Sequence, residues 1–260
     1  MTTRIALLGG LYSNHVALDQ ALDDIDQRGA DLVWCLGDLG GFGPHPDRTI
    51  ERLRKAGVPC LRGNYDDSIG HDRADCACGY TDPRDNQFAQ ISYDYTAPRT
   101  SLEHKEWMRE LPERARLEIA GRRLLLCHGS PRRVNEFLWE SACSDAFLER
   151  LCDTHEADVI LCTHTGLHWH RALPSGHHVV NVGALGRPAN DGRTEVWYAT
   201  LELDGDVRVE FRPLRYDHER LAHEMEDEAL PPEFVETIRT GWWTTCLENL
   251  PAKERARGRW

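Results

Sequence analysis

Leu32-Val33-Trp34-Cys35-Leu36-Gly37-Asp38-Leu39-Gly40-Gly41-Phe42-Gly43-Pro44 is an uncharged apolar run of strand length that stops on a glycine and then delivers a carboxylate. A short apolar run bounded by Asp31 and Gly37 predicts a buried strand over residues 32–36, with Asp38 just past its C-terminal end. The pattern recurs along the chain. Residues 58–61 read as a short strand ended by Gly63 and Asn64, residues 123–127 as a strand running straight into His128, and residues 158–162 as a strand running into Thr163-His164. Residues 4–8 form another apolar run, closed by Gly9-Gly10. Between these runs, residues 16–25 place apolar side chains at helical spacing, and residues 47–56, preceded by Pro46, read as a second helix. Strands alternating with helices predict an α/β sheet of mostly parallel order. Such sheets gather ligands at the carboxyl ends of their strands, where neighbouring loops converge.

The remainder follows from local signals. Residues 69–98 are polar, aperiodic and rich in turn formers, with Cys76-Ala77-Cys78-Gly79 inside them. A connection of that length predicts a cap or a partly helical insert. Residues 101–110 and 145–155 read as helices, the first opened by Ser101 with Glu103 and His104. Residues 178–182, 196–203 and 207–211 read as strands, and Asp204-Gly205-Asp206 supplies a hairpin turn between the last two. From Asp217 the chain is charged and helical, broken at Pro231-Pro232 and Pro251. The expected organisation is one domain over residues 1–215, carrying an insert at about 69–100, with a helical extension over 216–260 packed on it.

Composition bounds the function. The 260 residues suffice for a substantial core, and the formal net charge of −12 argues against sequence-independent binding of nucleic acid, which needs many cations facing phosphates. No apolar run is long enough to span a membrane, and the first residues lack the pattern of a secretory signal, so no membrane association and a cytoplasmic location are expected. Nine cysteines in such a chain read as free thiols or metal ligands before disulfides, and Cys35 and Cys162, inside apolar runs, as packing residues. Trp242-Trp243 and Trp260 read as core or interface anchors, which leaves a homodimer open.

Asp38, Asn64, His128 and His164 supply a carboxylate, an amide oxygen and two imidazoles at four strand ends. That donor set suits one divalent or trivalent transition metal ion, Mn, Fe or Zn. The order Gly37-Asp38, Gly63-Asn64-Tyr65-Asp66, Cys127-His128-Gly129-Ser130-Pro131, Thr163-His164-Thr165-Gly166 resembles motifs two to five of the calcineurin-like metallophosphoesterases. Leu36 to Pro44 and Asn181-Val182-Gly183-Ala184-Leu185-Gly186-Arg187-Pro188 are similar to the small bacterial branch of that superfamily, and the resemblance spans residues 4 to 215. It implies a four-layer α/β/β/α sandwich and hydrolysis of a phosphomonoester or phosphodiester, with a small phosphorylated or anionic molecule as partner.

The departures from the family pattern fall together. The first motif, Asp-x-His in the family, is here Gly10-Leu11-Tyr12; the histidine after the motif-three asparagine is Tyr65; the last histidine of motif five is Gly166. Mapped onto the two metal positions that the resemblance implies, one keeps only Asp38, while the other keeps Asp38, Asn64, His128 and His164. Three readings of the depleted position remain open. It stays empty; it is rebuilt around a second metal, with Tyr12 as a phenolate ligand as in purple acid phosphatases, or with His45, His71, Cys76, Cys78, His168 or His170; or the protein has retired from catalysis and binds a ligand or partner. On the resemblance, Tyr12 and Tyr65 face the substrate, Tyr65 replaces the missing histidine as a hydrogen-bond donor, and Asp66 matches a carboxylate that orients that histidine. Arg132 and Arg133 are candidates to hold phosphate oxygens, His45 lies near Asp38 by analogy, and Arg62 and Arg187 are weaker candidates for the same anion.

Overall fold

A computed structural model describes residues 2–258. In chain order its elements are β1 (Thr3–Leu8), α1 (His15–Arg28), β2 (Leu32–Cys35), α2 (Pro46–Lys55), α3 (Asn64–Gly70), α4 (Pro83–Thr96), α5 (Leu102–Glu110), β3 (Arg114–Ile119), β4 (Arg122–Cys127), α6 (Asp145–Thr154), β5 (Val159–Cys162), β6 (His168–Ala172), β7 (His178–Val182), β8 (Val196–Leu203), β9 (Val207–Leu214), α7 (His218–Asp227), α8 (Pro232–Thr240) and α9 (Ala252–Arg255). The strands form two sheets, ordered β2-β1-β8-β9 and β3-β4-β5-β7-β6.

Alternation along the strands sorts the side chains into layers. Ile5 and Leu7 of β1, Leu124 and Leu126 of β4, Val159 and Leu161 of β5, and Leu201 of β8 share one buried cluster between the sheets. The intervening residues point the other way. Ala6 and Leu8 pack with Ala17, Leu18 and Ala21 of α1, while Leu125, Cys127, Ile160 and Cys162 pack with Leu148, Leu151 and Cys152 of α6. The result is the expected helix–sheet–sheet–helix sandwich. Leu221 and Met225 of α7 and Phe234 and Ile238 of α8 join the helical layer of α1, as do Tyr65, Ile69 and Tyr93 from the segment between β2 and β3. Cys35 and Cys162 are wholly buried among apolar neighbours, as their runs imply. Trp243 is buried inside the chain, and Trp260 lies outside the described residues. Among the described residues no helix is long and apolar enough to cross a membrane.

Three expectations are corrected. Strand order is mixed: β1–β2, β4–β5 and β5–β7 pair parallel, but β3–β4, β6–β7 and β8–β9 pair antiparallel as three hairpins, and β8 returns antiparallel beside β1. Residues 58–61 make only the single bridge Cys35↔Cys60, and Pro59 has no N–H to continue a ladder. β3 was not expected; it is a half-exposed edge strand whose turn into β4 uses Ala120 and Gly121, both at positive φ. Residues 69–98, by contrast, are partly helical, chiefly in α4.

The inter-sheet layer is where the fold is most sensitive. Leu161→Ala, at a wholly buried position, is expected to lower the unfolding free energy by about 2–5 kcal/mol in urea titrations. Leu102→Ala, at a position 74% exposed, should stay within about 0.5 kcal/mol of the parent.

Candidate metal centre

The parallel strands of both sheets end on the same side, and backbone hydrogen bonds lace their loops together. Leu36 N–H donates to Leu8 O (2.9 Å), Leu11 N–H to Asp38 O (2.8 Å), Thr163 N–H to His128 O (2.8 Å) and Gly186 N–H to Gly10 O (2.9 Å). Gly10 also bridges to Ala184, which joins the loop after β1 to the loop after β7 across the two sheets.

One carboxylate fixes the loop that carries Asp38. Asp66, fully buried in α3, accepts from Asp38 N–H and Gly63 N–H through Oδ2 (2.8 Å each) and from Leu39 N–H through Oδ1 (2.9 Å). These contacts hold Asp38 at φ 58°, in the left-handed region that residues with a side chain rarely adopt; His164 sits at φ 69°. Gly63 is needed at its position because a Cβ there would run into the Asp38 carboxylate and backbone and lie 3.0 Å from the His128 ring. Burial and the nearby Asp38 carboxylate push the Asp66 carboxyl up to about 6, against the pull of the Leu39 and Gly63 N–H groups.

Around Asp38 the structure gathers His128 and His164, and Asn64 lines the same cavity. His128 Nε2 lies 3.2 Å from Asp38 Oδ2 and 3.3 Å from His164 Nδ1. The ligand atoms of Asp38, His128 and His164 all fall within 4.8 Å of one another, and all three residues are buried. His128 Nδ1 faces Leu36 O at 2.6 Å, so one N–H belongs there and Nε2 is the nitrogen turned to the centre. Asn64 donates through Nδ2 to Cys76 O (2.9 Å), which leaves its Oδ1 buried with no partner. His164 Nε2 faces the backbone of Cys78 and Asn135 without a well-formed hydrogen bond. An orphaned amide oxygen beside a carboxylate and two imidazole nitrogens is a donor set a divalent transition metal would satisfy. Burial opposes charge on all three titrating groups. It is outweighed at Asp38 by His128, which lowers the carboxyl, and at His128 by Asp38, which raises the imidazole; His164, with only burial and the His128 charge dominant, falls to about 3.

The depleted half of the motif set is filled with rings. At Gly10, where the family pattern has a carboxylate, a Cβ would lie 2.7 Å from the Tyr12 ring; at Gly166, where it has a histidine, a Cβ would lie 3.0 Å from the ring of Trp243. A cavity beside the metal candidates is lined by Tyr12, Tyr65, Tyr80, Phe88 and Phe234, with Asp38, Asn64 and His164 on its floor and Arg187 on its wall. Burial raises the phenols of Tyr12 and Tyr65 well above their ordinary value, so both are neutral hydroxyls in the metal-free protein. Tyr65 Oη donates to Ala89 O (3.3 Å), and its backbone N–H donates to Asp38 Oδ1 (3.1 Å).

Other sequence candidates lie elsewhere. Arg132 is exposed, paired with Glu136 and stacked over Phe147 at 5.0 Å, and Arg133 is exposed beside it in the turn closed on Ser130 Oγ; neither lines the cavity. His45 caps α2 and faces Glu224 (3.4 Å) and His15. Arg62 pairs with Asp67 and Glu113, and His71 with Asp67. His168 packs on Trp197 and Phe211, while His170 Nε2 contacts His178 Nδ1 at 2.9 Å. Cys76 and Cys78 are joined by a disulfide, so neither is a thiolate ligand in this state. Sequence reasoning missed the wall: Tyr80, Phe88, Phe234 and Cys246 come from the insert and the C-terminal segment, where no local motif marks them.

Residues 4–206 match the family model of the calcineurin-like phosphoesterase superfamily domain. An uncharacterized protein of Methanocaldococcus jannaschii is 23% identical over 254 residues, covering 91% of this chain and 98% of that protein. The fold is similar to that of a metallophosphoesterase from Sphaerobacter thermophilus (24% identity, TM-score 0.72) and of a hypothetical protein from Pyrococcus horikoshii OT3 (21% identity, TM-score 0.78), each alignment covering 93% of this chain and 100% of the other.

Asp66→Asn replaces one acceptor oxygen with an N–H donor and strands at least one of the buried N–H groups of Gly63, Asp38 or Leu39. The expected loss is about 1–3 kcal/mol of unfolding free energy, together with weaker manganese binding in calorimetric titrations. Unchanged affinity would show that Asp38 keeps its place without this contact.

Proposed function

Because the chain belongs to the calcineurin-like phosphoesterase superfamily, we propose that it is a metal-dependent phosphoester hydrolase built on a single transition metal ion held by Asp38, Asn64, His128 and His164. The observation that carries this reading is the clustered Asp38, His128 and His164, with the buried, unpartnered Oδ1 of Asn64 on a residue that lines the same cavity. When bound, such an ion supplies Lewis-acid polarisation of a phosphoryl oxygen and an acidified water. The chain's own groups do the rest. Leu36 O keeps His128 in the tautomer that ligates through Nε2. The Cys76 carbonyl turns Asn64 so that its oxygen faces inward. The ring lining of the cavity limits water and strengthens electrostatic contacts inside it. Tyr12 offers a neutral hydroxyl to a substrate oxygen, and the substrate is a small phosphomonoester or phosphodiester.

A second reading has one specific observation in its favour. The position of the family's proton-donating histidine is Tyr65, whose hydroxyl is engaged with Ala89 O. With no donor free there, a leaving group gains its proton only from solvent or from Tyr12, which favours activated esters or a protein that binds phosphate ligands without turning them over.

The test is metal analysis with hydrolysis of aryl phosphate mono- and diesters. About one equivalent of manganese, iron or zinc per chain is expected, with activity abolished in His128→Ala. Two equivalents would favour a rebuilt binuclear site. Metal binding without hydrolysis would favour the second reading, and hydrolysis that survives His128→Ala would remove the assignment.

A further inference from the structure

Arg187 is 7% exposed, at the end of the loop that follows β7. Its guanidinium lies flat over the Trp243 ring at 3.6 Å and 5.3 Å from the centre of the Phe42 ring. Nη2 donates to Thr245 O (3.0 Å), and Nε is buried with no acceptor. Among the described residues no carboxylate pairs with it. A guanidinium has five N–H donors, and a buried one without a counter-charge is expensive to maintain.

Its location explains what the charge is for. Arg187 lines the cavity that contains Asp38, Asn64 and His164, and also the adjoining cavity over Gly166, with Tyr12 and Trp243 on its walls. These are the surroundings of the depleted metal position. The rings of Tyr12 and Trp243 crowd Gly10 and Gly166, where the missing ligands would stand. The second of those rings carries the guanidinium on its face.

We propose that Arg187 takes the place of the second metal ion, forming an anion subsite whose guanidinium donates to two oxygens of a phosphate group beside the remaining metal centre. The subsite rests on the phosphoesterase reading for its ligand class and not for its existence. A guanidinium is a fixed single charge whose planar fork matches phosphate oxygens. It binds and orients the anion, and unlike an ion it neither acidifies a water nor leaves with chelation. Stacking on Trp243 and the Thr245 carbonyl hold the fork in place, and its remaining donors, Nε among them, stay available to an incoming oxyanion.

The experiment is calorimetric titration of inorganic phosphate into the full chain loaded with manganese, for the parent, Arg187→Met and Arg187→Lys. The expected result is phosphate binding weakened roughly 10-fold or more in Arg187→Met, by a smaller factor in Arg187→Lys, with manganese stoichiometry at one in all three. Equal phosphate affinity in Arg187→Met, or two manganese ions in the parent, would overturn the proposal. Should Arg187→Met lose its cooperative melting transition, crystals of the parent soaked in tungstate decide. Tungstate within hydrogen-bond distance of the Arg187 guanidinium supports the subsite, and tungstate bound elsewhere or not at all overturns it. None of these readouts uses turnover. A protein that binds phosphate at Arg187 but hydrolyses nothing would therefore count against the hydrolase reading alone.

Discussion

The grip of the Asp66 carboxylate on three backbone N–H groups is the contact on which the site depends. It ties Gly63, Asp38 and Leu39 to the first turn of α3. A left-handed aspartate costs on the order of 1 kcal/mol or more and persists only where its surroundings leave no alternative. Here the surroundings are the Asp66 oxygens on one side and the close approach of Gly63 on the other. With Asp38 fixed, Tyr65 N–H, His128 and the orphaned Asn64 oxygen share one small volume, and the rest of the centre follows from where β4 and β5 end.

Beside that ordered half, the other half of the family's site has been exchanged for aromatic packing. The exchange is not a hole. Tyr12 occupies the space a larger residue at position 10 would need, Trp243 reaches back from beyond α8 to cover Gly166, and Trp243 is anchored through its indole N–H to Pro188 O (2.6 Å) and through its backbone to Asn190 Oδ1 (2.8 Å). The C-terminal segment is thus part of the site. Its Thr245 carbonyl and Cys246 side chain border the same cavity as the metal candidates.

Much of this was legible in the chain itself. The runs of β1, β4 and β5 are apolar on both faces because both faces are covered, and such runs stand out; Asp38, His128 and His164, just past β2, β4 and β5, mark the rim of the sheets. Half-exposed β3 carries the period-two signal in full, since Arg114, Arg116 and Glu118 alternate with Ala115, Leu117 and Ile119, but its apolar residues are too few to stand out as a run. Residues 58–61 carried the composition of a strand, but Pro59 could not complete a ladder. At the site, Asp38, His128 and His164 were visible because each follows a strand, and Asn64 because it follows a strand-like run, whereas Arg132 was a misleading neighbour. Three residues after a turn it faces Glu136, and sequence distance from His128 says nothing of direction. The significance of Arg187 could not be read locally, because it comes from Trp243, far along the chain, and from the absence of an acidic partner among the described residues.

The crowding of Gly10 by Tyr12 and of Gly166 by Trp243 also bears on engineering. A histidine installed at position 166 would meet an indole, and an aspartate at position 10 would meet a phenol ring. Grafting the family's missing ligands onto this chain therefore calls for paired replacements, at Tyr12 together with Gly10 and at Trp243 together with Gly166.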